Sequence, residues 1–191
     1  MVPVSKKYSS CKGRNIENIF CTTYTIFEIV MNATDLFEAC RINDLDTVKD
    51  LYEQDASIIH TTDARGFTPL ILAVYNDAPE IVRFLIEKGA DLNAQDASGN
   101  TALMGVCFKG YKNIAQQLIA AGATINQRNG NGATALTFAA TFGHLQIAEW
   151  LLQNGADLNV PDTRGKTPVD HAYIQENEAM MELFQRYSPQ P

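Results

Sequence analysis

The side chains best suited to catalysis or metal binding are few and lie far apart in this sequence. The chain has three histidines, at positions 60, 144 and 171, and four cysteines, at positions 11, 21, 40 and 107. No two cysteines show the C-x-x-C spacing of a zinc site, and four cysteines in 191 residues are too few for a disulfide scaffold. We therefore expect reduced thiols, no metal site and no cofactor.

The sequence also lacks the motifs that usually carry catalysis. It contains no G-x-S-x-G, no H-E-x-x-H, no P-loop and no G-x-G-x-x-G after a predicted strand. The glycine-rich segment 129–132 could hold a phosphate, but the repeat pattern described below places it at a turn. His144 is predicted to form local hydrogen bonds and His171 to be a partly buried core residue, with the adjacent Asp170 pointing elsewhere on its helix. These observations predict a protein that is not an enzyme, with a hydrolase of unrecognised site as the alternative.

Composition and charge narrow the class of protein. Apolar residues make up 46% and charged residues 19%, which is typical of one globular domain at this length. Fifteen Lys and Arg against 22 Asp and Glu give a net charge of −7, and the longest apolar runs are shorter than a membrane span. We expect neither a membrane protein nor a nucleic-acid binder.

A period of 33 residues organises most of the chain. From Asp63 onward, three segments align without a gap, and a shorter fourth segment begins in the same way. The segment before Asp63 fits the same frame with one inserted residue. Because residue types recur at a fixed interval, we predict a leader at 1–32 and five repeats at 33–62, 63–95, 96–128, 129–161 and 162–188.

Each repeat reads as a turn followed by two short helices. An Asp or Asn and a Gly suit a tight turn, and the Thr that follows is a predicted helix N-cap, as at Thr68. Apolar residues such as Leu70, Ala73 and Val74 recur at helical spacing. A second helix is predicted to end at a glycine such as Gly89. Neither helix is long enough to bury its apolar face alone, so the repeats must stack.

The T-P-L or T-A-L start, the G-A-D-L-N ending and the 33-residue period resemble the ankyrin-repeat family, over about four-fifths of the chain. This resemblance implies an all-α solenoid of stacked helix–turn–helix units with β-turn tips. It also implies that a concave face, made of the turn tips and the exposed sides of the first helices, binds proteins. The histidine that commonly follows T-P-L in the family is replaced by Ile71, Met104, Thr137 and Asp170, which puts its bonds between turns in doubt.

The concave face that the resemblance implies carries the predicted partner-binding residues. They are Arg65, Phe67, Tyr75, Asn76, Asn100, Phe108, Lys109, Asn131, Phe142, Arg164 and Lys166. Grouped aromatic and Arg side chains are typical of interface hot spots, although single apolar residues are also normal on protein surfaces. Tyr75, Phe108 and Phe142 are predicted to project into one groove beside Lys109, outside the stacking core.

Charge along the repeats predicts the chemistry of the partner. Residues 35–63 carry eight acids and two bases, residues 97–148 carry no acid and three bases, and residues 149–182 carry seven acids and two bases. Acidic end repeats could simply keep the protein soluble. The same pattern would steer an acidic or polar segment with apolar anchors onto the middle repeats. We thus predict a monomeric, cytoplasmic regulator or adaptor, with a dedicated accessory or inhibitory subunit of one enzyme as the alternative.

Residues 1–32 lie outside the period, and three interpretations of them stay open. They could be an unprocessed leader that is either disordered or helical, a signal peptide, or residues before a true start at Met31. Glu28 and three threonines interrupt the apolar run at 19–31, and no A-x-A-like cleavage site follows it.

We expect removal of residues 1–32 to leave the repeats almost as stable as before, because this segment lacks the repeat pattern. Urea unfolding of the full chain and of a chain beginning at Ala33 measures the difference. A loss of more than about 2 kcal/mol would show that the leader packs as a capping element.

Overall fold

The structure, a computed structural model, describes residues 33–188, and its regular secondary structure in that range is helical. The helices are α1 (33–42), α2 (Leu45–Gln54), a 3-10 helix (Ala56–His60), α3 (Pro69–Tyr75), α4 (Pro79–Glu87), α5 (Ala102–Lys109), α6 (Lys112–Ala120), α7 (Ala135–Thr141), α8 (Leu145–Gln153), α9 (Pro168–Ile174) and α10 (Glu178–Tyr187). Within this range no helix is both long and apolar enough to cross a bilayer. The predicted leader lies outside the described residues.

The predicted threonine caps start the first helix of each of four repeats. The Thr68 side chain accepts a hydrogen bond from Ile71 N at 3.2 Å, and Thr101 caps α5 in the same way. Thr134 and Thr167 cap α7 and α9, each within a reciprocal capping box. These bonds satisfy backbone donors that would otherwise be unpaired at a helix start.

The helices form two layers that run the length of the stack. The first helices α3, α5, α7 and α9 pack on one another in that order, and the second helices α4, α6, α8 and α10 do the same. In the first four repeats, one shared first-helix position holds a small or medium-sized residue that is 0% exposed, which lets the next helix approach closely: Cys40, Val74, Cys107 and Ala140. Within residues 33–188 no further first helix covers the last repeat, and its equivalent residue, Tyr173, is 73% exposed. The predicted all-α repeat stack is confirmed.

The two cysteines in this shared position are free thiols in the core. Burial raises the pKa of both thiols, that of Cys40 to about 12 even though the Arg41 charge opposes the shift. Thiols held in the protonated form react slowly with oxidants, so both cysteines serve packing.

Backbone hydrogen bonds join the turn tips of consecutive repeats. Ala97 N donates to Arg65 O at 3.1 Å, and equivalent bonds of 3.0 and 2.9 Å join the next two pairs of tips. This close approach requires glycine in the turn: Gly99 has φ of 79°, and a Cβ there would lie 2.7 Å from Gly130 N. The tips are thus connected without the histidine whose absence put such bonds in doubt.

Replacing Leu118 with Ala should destabilise the middle of the stack. Leu118 is 0% exposed on α6 and packs in the second-helix layer. The loss of this buried side chain should cost about 2–5 kcal/mol in urea unfolding. Gln116→Ala, at an exposed position of the same helix, is the control. An unchanged midpoint for Leu118→Ala would show that this layer does not stabilise the fold.

Candidate functional site

An exposed pair of aromatic rings marks the concave face, meaning the turn tips and the exposed sides of the first helices. Phe108 in the last turn of α5 meets Phe142 at the end of α7 edge-to-face, with ring centroids 4.8 Å apart. The two side chains are 41% and 45% exposed. Phe138 lies beneath Phe142, and Lys109 Nζ is 5.9 Å from the Phe108 ring centre. The face therefore presents apolar surface beside a positive charge.

Tyr75 does not belong to this exposed group, and the prediction that it lies outside the stacking core is wrong. Its ring contacts Phe67 at 5.7 Å between centroids, and both rings pack against the core. A Cβ on Gly105 would lie only 3.3 Å from Tyr75 Cζ, so the absence of a side chain there makes room for the ring between α3 and α5. Burial, together with the nearby Asp96 charge, raises the pKa of Tyr75.

The remaining predicted cationic residues lie on the turn tips. Arg65 is exposed and its guanidinium carbon is 4.7 Å from the Phe67 ring centre, a cation–π contact. Arg164 and Lys166 are exposed on the tip of the last repeat, and Asn131 is exposed on the tip before it. These side chains are accessible to a partner on the same face as the aromatic pair.

Two predicted binding residues already use their side-chain amides within the fold. Asn76 Nδ2 donates to Leu72 O at 2.8 Å and so caps the end of α3. Asn100 donates to Asp96 Oδ2 at 3.2 Å and accepts from Asn129 Nδ2 at 2.8 Å, which ties two tips together. Any role of these two residues in binding a partner stays a prediction.

The Arg128 guanidinium is hydrogen-bonded within the fold and is therefore less available to a partner than the charge pattern of the sequence predicts. Its Nε donates to Gly132 O at 3.1 Å and its Nη2 donates to Pro161 O at 2.6 Å. The guanidinium therefore connects the tip of the fourth repeat to the segment just before the tip of the fifth repeat. Of the three bases counted in the acid-free stretch, Lys109 is the one placed beside the aromatic pair.

A buried polar network, which sequence reasoning missed, joins the fourth and fifth repeats. His171 on α9 has its Nε2 3.0 Å from Asp162 Oδ2 and its Nδ1 3.2 Å from Thr141 Oγ1 on α7. His171 and Asp162 are only 8% and 7% exposed. The 33-residue spacing could have indicated this contact, because His171 is equivalent to Gly105 and Phe138 and therefore faces the preceding repeat.

Asp162 is the anchor of this network. Its Oδ1 accepts from Arg164 N at 2.8 Å and from Lys166 N at 2.9 Å, which forms the turn. Burial alone would raise the pKa of Asp162, but the hydrogen bonds from Lys166, His171 and Arg164, with the Arg164 charge, outweigh it and hold the pKa at about 2. The side chain is therefore a carboxylate at neutral pH.

Beside this network a cavity of about 450 Å³ opens on the concave face. It lies between the tips of the fourth and fifth repeats and helices α7 and α9. Its lining includes Asn131, Ala133, Thr141, Phe142, Arg164 and His171. Within residues 33–188, no three His, Cys, Asp or Glu side chains are grouped so that they could hold a metal ion.

Comparison with known proteins identifies the repeats. A family model described as three copies of the ankyrin repeat matches residues 36–129 and again residues 103–189. Similar segments occur in alpha-latrocrustotoxin-Lt1a of Latrodectus tredecimguttatus (46% identical over 59 residues), in ankyrin repeat and SAM domain-containing protein 6 of Danio rerio (37% over 59) and in palmitoyltransferase akr1 of Schizosaccharomyces pombe (42% over 59).

These relatives are much longer proteins. Each match covers 31% of this chain but only 4%, 8% and 9% of the three relatives, respectively. The chain thus shares with them a short segment.

The stabilising effect of Asp162 should depend on pH. An unfolded aspartate titrates near about 3.9, above its pKa of about 2 in the fold. Its contribution is therefore complete above about pH 4 and is lost as the pH falls toward about 2. The difference in urea midpoint between the native chain and Asp162→Asn should shrink over that range. Asn129 forms the equivalent turn one repeat earlier, so this variant keeps the turn. A constant difference at all pH values would contradict the assignment.

Proposed function

Because the chain belongs to the ankyrin-repeat family, whose repeats are generally protein-interaction modules, we propose that it is a non-enzymatic adaptor or regulator that binds a protein partner through its concave face. The observation that carries this proposal is the exposed Phe108–Phe142 pair with Lys109 beside it. Clustered aromatic rings that remain exposed, next to a cation, are the residue types on which interface binding energy concentrates.

Charge favours an acidic or polar partner segment with apolar anchors. The cations Arg65, Lys109, Arg164 and Lys166 are exposed on this face. The turn aspartates Asp63, Asp96 and Asp162 each direct Oδ1 to backbone N–H groups of their own turns. Arg65 Nε and Arg164 Nη2 lie 4.0 and 3.4 Å from Oδ2 of the aspartate in their own turn, whereas Lys109 lies beside the aromatic pair. The accessible charge near the aromatic pair is therefore positive, which accelerates the approach of an acidic segment.

The Thr141–His171–Asp162 network does not favour a hydrolase. Its residue types match those of a hydrolytic triad, yet the Thr141 hydroxyl donates to Thr137 O at 2.7 Å. A nucleophilic hydroxyl must donate its proton to the imidazole that acts as its base. The single hydroxyl proton of Thr141 is instead donated to the nearer helix carbonyl, while His171 Nδ1 is 3.2 Å away. The network instead connects two repeats, which supports the non-enzymatic proposal.

We further propose a monomer in the cytoplasm. Buried, free Cys40 and Cys107 suit a reducing compartment. The first and last repeats are both acidic, so end-to-end association of two copies is opposed by charge.

Site-specific photocrosslinking in native cells tests where the partner binds. A benzophenone amino acid at Lys109 samples the concave face, and the same amino acid at exposed Gln153 on α8 samples the second-helix layer. One protein crosslinked through Lys109, and not through Gln153, supports the proposal. Crosslinking through Gln153 alone would place the binding surface on the other layer.

Removal of the aromatic pair should weaken binding of that crosslinked partner. Phe108→Ala combined with Phe142→Ala should cost about 1–4 kcal/mol in calorimetric titration, the range of a hot spot, with little change in helical content. Leu145→Ala is the matched control, because Leu145 is 39% exposed on α8. Lys109→Ala should mainly slow association and reduce its salt dependence. Full affinity of the double variant would refute the site.

A further inference from the structure

The cavity between the fourth and fifth repeats lies at a position that, in the second repeat, is occupied by the protein's own side chains. Ala133 and Thr141, which both line the cavity, lie two 33-residue repeats beyond Phe67 and Tyr75. The frame is otherwise the same, with a turn tip on one side and a first helix on the other. Two aromatic rings in the second repeat thus correspond to a methyl group and a small hydroxyl side chain in the fourth.

The second repeat shows how rings occupy this position. Phe67 packs on Tyr75 with centroids 5.7 Å apart, and the Arg65 guanidinium lies 4.7 Å from the Phe67 ring centre. Tyr75 in turn contacts the next first helix at Gly105. In the fourth repeat Thr141 instead contacts His171, and about 450 Å³ beside them is left open.

The walls of this cavity suit an aromatic guest. Phe138 and Phe142 line one side, and aromatic rings favour offset or edge-to-face contacts with each other. Arg164 stands at the rim with its side chain 76% exposed and its Nη2 3.4 Å from Asp162 Oδ2. Arg65 has a similar pairing, with Nε 4.0 Å from Asp63 Oδ2, and still lies over the Phe67 ring. Arg164 can therefore lie over a guest ring in the same way. The polar atoms of Asp162 and His171 already bond to each other, so they demand no charged partner.

We infer that this cavity receives an aromatic side chain from an acidic segment of the protein partner, in the place that the chain's own rings fill in the second repeat. The inference rests on the proposed function and names the anchor of that interaction. Exposed Arg164 and Lys166 on the adjacent tip attract the acidic residues that flank the anchor. Exposed Phe142, which also lines the cavity, connects the anchor to the aromatic pair.

Synthetic peptides test the inference without the natural partner. The probe is a blocked five-residue peptide with tyrosine at its centre and two glutamates on each side. Two controls replace the tyrosine with alanine or the four glutamates with lysines. Titration of the full-length, ¹⁵N-labelled chain, followed by NMR, should give a Kd of about 1 mM for the probe, as expected of one anchored side chain. Binding should be at least fivefold weaker for each control, with the shifts centred on Thr141, Phe142, Arg164 and His171.

Filling the cavity from within should abolish this preference. Ala133→Phe restores the ring that the second repeat has at the equivalent position and should reduce probe affinity at least fivefold. Ser98→Phe is the matched control, because it adds the same ring to an exposed site on the third tip, outside the cavity. Ala133→Leu replaces Ala133→Phe if the spectrum of the latter shows a loss of fold.

Each remaining outcome overturns the inference. These are equal binding of the tyrosine and alanine peptides, no binding of the probe, or unchanged binding after the cavity is filled. Crosslinking through Lys109 would then still support the proposed function, so the two failures are distinguishable. Probe-induced shifts confined to α8 and α10 would likewise overturn the inference, because the cavity would then not be the binding site.

Discussion

Each 33-residue repeat has apolar surface that only a neighbouring repeat can cover, and the other features of the structure depend on that requirement. The first helices of the first four repeats have compact, fully buried residues at one shared position, so that the next helix fits closely: Cys40, Val74, Cys107 and Ala140. Backbone bonds between consecutive tips keep the same register. The frame uses the turn carboxylates and amides, the threonine caps and the buried helix faces. Side chains at the ends of the first helices and on the tips remain free to differ from repeat to repeat.

Because of those differences, the space between turn tip and first helix is closed in one repeat and open in another. In the second repeat Phe67 and Tyr75 close the angle between tip and helix, with Gly105 accommodating the second ring. In the fourth repeat Ala133 and Thr141 leave it open beside an exposed aromatic pair. The acid-free stretch, residues 97–148, covers the third repeat after Asp96 and most of the fourth, so apolar surface and positive charge occur together on the middle of the concave face. This coincidence connects the packing of the stack to its proposed use in binding proteins.

The sequence predicted the features that depend on local chemistry and on the period. Thr68 and its equivalents cap helices wherever they occur, and Leu118 is buried because its helix position requires it. Features set by contacts between repeats could not be read from the residues alone. The sequence predicts that the Tyr75 ring lies outside the stacking core. The structure shows instead that the absence of a side chain at Gly105 makes room for this ring between two repeats. The Thr141–His171 contact spans 30 residues and depends on the spacing of α7 and α9.

The central claim is that the protein binds its partner with the aromatic surface of the concave face. Hydroxyl-radical footprinting of the free chain and of its complex with the crosslinked partner tests this most directly, because mass spectrometry reports the oxidation of each ring. Exposed Tyr187, on α10 in the second-helix layer, is the internal reference. We predict that Phe108 and Phe142 become protected in the complex while Tyr187 oxidises as before. Protection of Tyr187, with the oxidation of Phe108 and Phe142 unchanged, would contradict this prediction.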